Sequence, residues 1–170
     1  KVIVPHIYDG IQDFTGGVAI VKKDGMYGAI DVEGNETIPC IFENVWNNFL
    51  ISPVEAKYFL EQINHPLFGW YFDIGNVLRY GWPEQWIEIL GKHIFKLHAK
   101  EFSRAKMNDQ GLWKGFDVEL LEGDVDWKLV MQTLHNVGYN GGWLTSELGG
   151  GDRAYLKKVA IQMDKIVQLY

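Results

Sequence analysis

Hydrophobic and polar positions follow two different rhythms along this chain. Up to about residue 41, short β-rich runs such as Val18-Ala19-Ile20-Val21 and Met26-Tyr27-Gly28-Ala29-Ile30 are punctuated by Lys23-Asp24-Gly25 and Glu33-Gly34-Asn35. Asp-Gly and Gly-Asn turns between such runs predict antiparallel hairpins. From about Phe42 the punctuation becomes strand, helix, strand, helix. Ser52-Pro53-Val54-Glu55 combines an N-cap, a proline at the first helical position and an early acid, which predicts a helix start. Val54, Tyr58, Phe59 and Ile63 give that helix an apolar stripe, and Asn64-His65-Pro66 ends it. Leu67–Phe72 is a continuous apolar run, as expected of a parallel strand covered on both faces. Pro83 opens a second helix bearing Trp86, Ile87, Ile89 and Leu90, closed by Gly91; Ile94–His98 is the next strand.

A polar, Gly-containing loop is predicted over 103–123. Residues 124–137 read as a helix with Trp127, Val130, Leu134 and Val137 on one side and Gly138 as its stop. Gly142–Glu147 is a fourth strand. A final helix over 152–170 carries Tyr155, Leu156, Val159, Met163, Ile166 and Val167 on one face. Alternating βα units of this kind predict a parallel sheet.

Within the first segment, Ile38-Pro39-Cys40-Ile41-Phe42-Glu43 repeats Val4-Pro5-His6-Ile7-Tyr8-Asp9 at an interval of 34 residues, a period typical of stacked units. With its "P-x-x-Y-D" and "D-G-x-Y-G-x-I-D" turns, residues 1–41 resemble a WG-type β repeat. The resemblance implies a recognition or packing module without a catalytic group.

Composition narrows the function classes. The 170 residues are 47% hydrophobic and 22% charged, enough apolar content for a core. A net charge of −6 and the lack of a dense Lys/Arg cluster argue against nucleic acid. The single cysteine, Cys40, leaves no internal disulfide framework and suits a reducing compartment. No apolar run approaches the roughly 20 residues of a membrane span, and no signal-peptide pattern opens the chain. The expectation is a cytoplasmic protein without a membrane partner; Lys1 in place of Met points to a fragment or a processed chain.

Each predicted strand from residue 42 onward ends in a metal-ligating side chain: Glu43, Asp73, His98 and Glu147. Parallel strands alternating with helices point their C-terminal ends at one face, so ligands 30, 25 and 49 residues apart would converge. Three carboxylates and an imidazole suit a divalent ion, Mn²⁺, Mg²⁺, Co²⁺ or Zn²⁺. Taken singly, Asp73 before Gly75-Asn76 reads as a turn residue, His98 as a hydrogen-bonded strand end, and Glu43 as a turn acid of the second β repeat. Their common placement at strand ends is what makes them a set.

The stretches Glu43-Asn44-Val45-Trp46-Asn47-Asn48-Phe49, Tyr71-Phe72-Asp73-Ile74-Gly75-Asn76, Lys96-Leu97-His98-Ala99-Lys100 and Gly123-Asp124-Val125-Asp126-Trp127 resemble the sugar-phosphate isomerase/epimerase family of xylose-isomerase-like TIM barrels. The resemblance runs from residue 42 to the end. It implies half of a (β/α)₈ barrel, its fifth to eighth βα units over 42–170, preceded by the small antiparallel segment 1–41. It also implies a metal held by Glu43, Asp73, His98 and Glu147, proton exchange at the substrate carbon by Glu43 and Glu147, and substrate contacts from Arg104 and from Asn76, where many members have His.

The implied activity is isomerisation or epimerisation of a ketose or sugar phosphate through an enediolate. Two alternatives stand beside it: a keto-polyol dehydratase of the same superfamily, and a catalytically inactive half-barrel fused to an interaction module. A full barrel takes roughly 250 residues. Four βα units leave two sheet edges and an apolar inner face that the N-terminal strands or a second copy in a homo-oligomer would cover, or that would otherwise form an aggregating surface.

The remaining polar and aromatic residues read as structural. Asp124 and Asp126 cap a helix; Trp82, Trp86, Trp127 and Trp143 pack; His6, His65, His93 and His135 lack clustered partners. Gly149-Gly150-Gly151 reads as a loop in preference to a phosphate cradle.

Overall fold

The computed structural model describes residues 7–14, 18–24, 26–37, 40–65, 68–140 and 142–170. One compact unit reaches Cys40 and takes in residues 65–68; the other comprises Ile41–Asn64 and Gly69–Tyr170. In the first, strands β1 (Gly10–Ile11), β2 (Val18–Lys23) and β3 (Met26–Asp31) form an antiparallel sheet in the order β1-β2-β3. The predicted turns are built as their chemistry requires. Asp24 adopts a positive φ of 51°, a conformation Asp tolerates better than most residues. The Asp31 carboxylate accepts from the backbone N–H groups of Glu33 and Asn35. Ala19, Val21 and Ile30 form this unit's small core, with Tyr8 packed against it. The expected repeat residues Val4, Pro5, His6, Ile38 and Pro39, with Ile3, Gly25 and Leu67, lie outside the described residues.

The second unit, but for the strand-end residues Cys40 and Phe68, carries a four-stranded sheet in the order β4 (Cys40–Glu43), β5 (Phe68–Asp73), β6 (Ile94–Ala99), β7 (Trp143–Ser146). β5–β6 and β6–β7 pair in parallel, with Asp73 beside His98 and His98 beside Thr145. Helices α1 (Pro53–Ile63), α3 (Pro83–Leu90), α5 (Trp127–Asn136) and α6 (Arg153–Val167) pack in sequence, each against the next. Two short helices follow: α2 (Ile74–Val77) directly after β5, and α4 (Arg104–Gln110) separated from β6 by four residues. Helix starts follow the sequence signals: Ser52 accepts from Glu55 N–H and donates to its carboxylate, a reciprocal cap, with Pro53 next. Trp70, Phe72, Ile87, Leu90, Leu97 and Leu134 are fully or almost fully buried, and the Trp86 ring lies 6.0 Å from that of Phe72 and 6.4 Å from that of Trp70.

Four expectations are corrected. The buried face of α1 is Ala56 and Leu60, while Val54 and Tyr58 are 65% and 64% exposed. Residues two apart on a helix sit about 200° around the axis, and α1 turns its slimmer side to α3. On α6 only Val159 and Ile166, two turns apart, are buried; Leu156 and Val167 flank that narrow stripe in solvent. The predicted loop 103–123 contains α4 and a 3₁₀ segment, Leu112–Phe116; neither has an amphipathic period long enough to be read. Trp86 and Trp127 pack as expected, but Trp82 and Trp143 are 45% and 69% exposed.

The sheet face opposite the helices also departs from the expected apolar surface. Along β6, Leu97 and Ala99 are buried on the helix side, and Lys96, His98 and the following Lys100 alternate with them as partly exposed residues. That alternation positions the site.

Candidate metal centre

The C-terminal ends of the sheet strands bring Glu43, Asp73, His98 and Glu147 together. One ligand atom from each lies within 4.8 Å of all the others. Glu43 closes β4, Asp73 closes β5, His98 precedes the last residue of β6, and Glu147 follows β7, its N–H continuing the ladder to Ala99 O at 3.1 Å. His98 Nδ1 donates to Glu43 Oε1 at 2.9 Å. Beneath the group, the His98 ring lies 4.0 Å from the ring of Tyr71, whose hydroxyl shares a 2.6 Å hydrogen bond with Thr145 Oγ1. Tyr71 and Thr145 stand two residues before Asp73 and Glu147, so the strand period places them on the same face.

Asp73 is fully buried and caps α2, its Oδ1 accepting from Asn76 N–H at 2.8 Å. Its Oδ2 is buried without a hydrogen-bond partner among the described residues. A buried carboxylate oxygen left so is costly unless a cation or a proton meets it. Burial pushes the Asp73 carboxyl well above the usual range, against the Lys100 charge and the Asn76 N–H, with Glu147 adding to the rise. At Glu147 burial pushes upward too. The hydrogen bond from Lys100, the neighbouring Asp73 carboxyl and the charges of Lys100 and His98 outweigh it, and the carboxyl sits below its ordinary value. An orphaned buried oxygen, two further carboxylates and an imidazole fit a divalent ion of the Mn²⁺, Mg²⁺, Co²⁺ or Zn²⁺ type.

The scaffold beneath these ligands comes from residues that sequence reading did not single out. Asn44 reaches across from β4, donating Nδ2 to Asp73 O at 2.8 Å and accepting through Oδ1 from Asp73 N–H at 2.9 Å and Trp70 Nε1 at 3.1 Å. Gly75 lets α2 close on β6: a Cβ there would meet Lys100 O at 2.7 Å. Lys100 Nζ contacts Glu147 Oε2 at 2.6 Å and stands 3.7 Å from Asp73 Oδ2. Glu101, buried, accepts from Trp127 Nε1 and from the N–H groups of Phe102, Leu121 and Val125. The signal for Lys100 was available: the strand period puts it on the face of His98. Nothing local in the sequence marks Asn44 or Glu101, whose partners lie up to 29 and 26 residues away.

A cavity of about 430 Å³ adjoins Glu147, lined also by Lys100, Glu101, Trp113, Phe116 and Leu148. Arg104 is placed elsewhere. Its Nε and Nη2 donate to Leu78 O and Gly81 O, both at 2.7 Å, and its guanidinium stacks 3.8 Å from the Trp82 ring. Asn76 is also buried in the scaffold, giving Nδ2 to Asn44 O at 3.0 Å and accepting Trp46 Nε1 on its carbonyl. Asp126 caps α5 through Leu129 N–H, whereas Asp124 accepts from Arg104 N–H and so holds the start of α4.

The sequence profile described as xylose isomerase-like TIM barrel matches residues 16–163, and that of the WG-containing repeat matches residues 1–27. No curated protein gives a significant sequence match. Among solved structures, a xylose isomerase domain protein from Planctomyces limnophilus is similar at 24% identity and TM-score 0.63, over 81% of this chain and 47% of that one. The D-psicose 3-epimerase of Clostridium cellulolyticum H10, solved with D-tagatose, is similar at 17% identity and TM-score 0.56, over 76% and 48%. The probable 3-DHS dehydratase AsbF of Bacillus anthracis, involved in petrobactin synthesis, is similar at 18% identity and TM-score 0.56, over 77% and 48%. The chain thus matches about half the length of each. No helix among the described residues is long and apolar enough to cross a membrane.

Proposed function

The chain belongs to the xylose isomerase-like TIM-barrel family, and on that premise we propose that it is a metal-dependent isomerase or epimerase of a ketose. The observation that carries this reading is the convergence of Glu43, Asp73, His98 and Glu147 within 4.8 Å of one another at the strand ends. These four would hold the ion, which when bound polarises a ketose carbonyl and acidifies the adjacent C–H. Glu147, 44% exposed beside the cavity, is the base that removes that proton. Glu43, 28% exposed and oriented by His98 Nδ1, is the second proton-transfer group. Return of the proton to the opposite face of the same carbon gives epimerisation; return to its neighbour gives isomerisation.

Two helix starts speak for an uncharged ketose over a sugar phosphate. Helices following the last strands of such barrels commonly receive phosphate at their N-termini. Here a carboxylate already holds each: Asp124 accepts from Arg104 N–H on α4, and Asp152 from Tyr155 N–H on α6. In this reading residues 42–170 are the catalytic body, residues 1–41 a separate repeat module, and a second copy in a homo-oligomer closes the edges β4 and β7.

The test is a screen of ketoses with Mn²⁺ or Co²⁺ in D₂O, followed by proton NMR. Wild-type protein should exchange the proton α to the carbonyl, and Glu147→Gln should abolish exchange while still binding metal. No exchange with any ketose, or an unaltered rate in Glu147→Gln, overturns the reading. Loss of a β-hydroxyl in the same spectra assigns the chain to the dehydratases, the chemistry named for the similar AsbF structure.

A further inference from the structure

We propose that Lys100 is a built-in competitor for the metal centre, a positioning residue whose ammonium holds Glu147 and Asp73 until a divalent ion displaces it. The inference rests on the metal reading above and adds a residue to it. Lys100 Nζ lies 2.6 Å from Glu147 Oε2 and 3.7 Å from Asp73 Oδ2, so it addresses two of the four ligands. The four ligand atoms span no more than 4.8 Å. An ammonium in contact with two of them stands in the first layer of charge around any ion placed there. Like charges at such range repel strongly in a partly dehydrated site. The ammonium and the ion therefore share Glu147 poorly, and binding one weakens the other.

The surroundings supply both an anchor and an exit. Lys100 follows β6 directly, and its carbonyl is packed so closely under Gly75 that a Cβ there would come within 2.7 Å; the backbone is fixed and the side chain moves alone. Nζ already lies 4.7 Å from the centre of the Phe116 ring, beside the 430 Å³ cavity. An ammonium released from Glu147 keeps that aromatic face as a partner and enters the cavity that would receive substrate.

Titration calorimetry with Mn²⁺ alone, on the full chain, tests this. Lys100→Met should bind Mn²⁺ at least about tenfold more tightly than wild type, since a charge-assisted contact no longer has to be broken. Lys100→Arg, which keeps the charge, should stay near wild type. A purely structural role predicts the reverse, weaker binding in Lys100→Met as the carboxylates spread. Equal or weaker affinity in Lys100→Met overturns the proposal while leaving the metal reading intact; no Mn²⁺ binding by wild type or variant overturns both. A measurement on wild type covers a variant that fails to fold. Reductive ¹³C-methylation of Lys100, normalised to exposed lysines, should speed up several-fold at saturating Mn²⁺, and an unchanged rate counts against displacement.

Discussion

The side chain of Asn44 and the backbone of Asp73 form a closed pair: Nδ2 donates to the Asp73 carbonyl at 2.8 Å while Oδ1 accepts its N–H at 2.9 Å. An amide side chain here imitates one more rung between β4 and β5, immediately after Glu43 and at Asp73 itself. The spacing of two members of the candidate metal group is thereby set by a residue outside it.

Asn44→Ala removes this pair and the acceptor of Trp70 Nε1, leaving buried polar groups unpaired. It should cost about 2–4 kcal/mol in urea unfolding and lower Mn²⁺ affinity, and Asn44→Asp, which keeps the acceptor but sets a carboxylate oxygen against the Asp73 carbonyl, should also destabilise. Full stability in Asn44→Ala would show that the rung is dispensable.

Gly75→Ala puts a methyl group against the Lys100 carbonyl, at 2.7 Å from its oxygen and 2.8 Å from its carbon. Backbone cannot swing aside as a side-chain tip can. The substitution should destabilise by about 1–3 kcal/mol and weaken metal binding, because α2, capped by Asp73, must lift from β6. Thermal unfolding with and without Mn²⁺ reads both effects.

His98→Ala removes the sole imidazole of the group and the donor to Glu43. Mn²⁺ or Co²⁺ affinity should fall at least about tenfold by calorimetry, with the fold retained by circular dichroism. Unchanged affinity would remove His98 from the ligand set.

Glu101 supplies a pH signature. Burial raises its carboxyl above the 4.5 of an unfolded Glu, in spite of the four N–H groups that it accepts. A raised folded value means that folding favours the proton. The stabilising contribution is complete below about 4.5 and is lost as pH rises through the folded value. Against Glu101→Gln, which does not titrate, wild type should therefore lose relative stability across that window and then level off. Urea midpoints at successive pH values check the sign; a relative gain with rising pH would contradict it.

Much of this was legible because strand ends and helix caps are local signals. Ser52-Pro53, Pro83, Asp126 and Gly138 mark boundaries with their own chemistry, and the convergence of Glu43, Asp73, His98 and Glu147 follows from their place at the ends of successive strands. Burial around each helix was less legible. Val54 and Tyr58 satisfy an apolar period as well as Ala56 and Leu60 do, and only the neighbouring helix decides which side is covered. The supporting shell was not legible. Asn44, Arg104 and Glu101 each bond a backbone group more than 20 residues distant, and backbone groups look the same in every residue. Arg104 shows the cost: its charge suggested a ligand contact, and its geometry ties down the turn after α2.

The alternation of β6 makes the centre intolerant of a change in chain length. Deleting or inserting one residue between Ile94 and His98 would exchange the places of His98 and Leu97, driving an imidazole into the helix layer and a leucine among three carboxylates. The exposed Gly149-Gly150 stretch before α6, where an added Cβ would meet nothing within 4 Å, carries no such parity. Length variation among descendants of this chain should accumulate there and be purged from the strand.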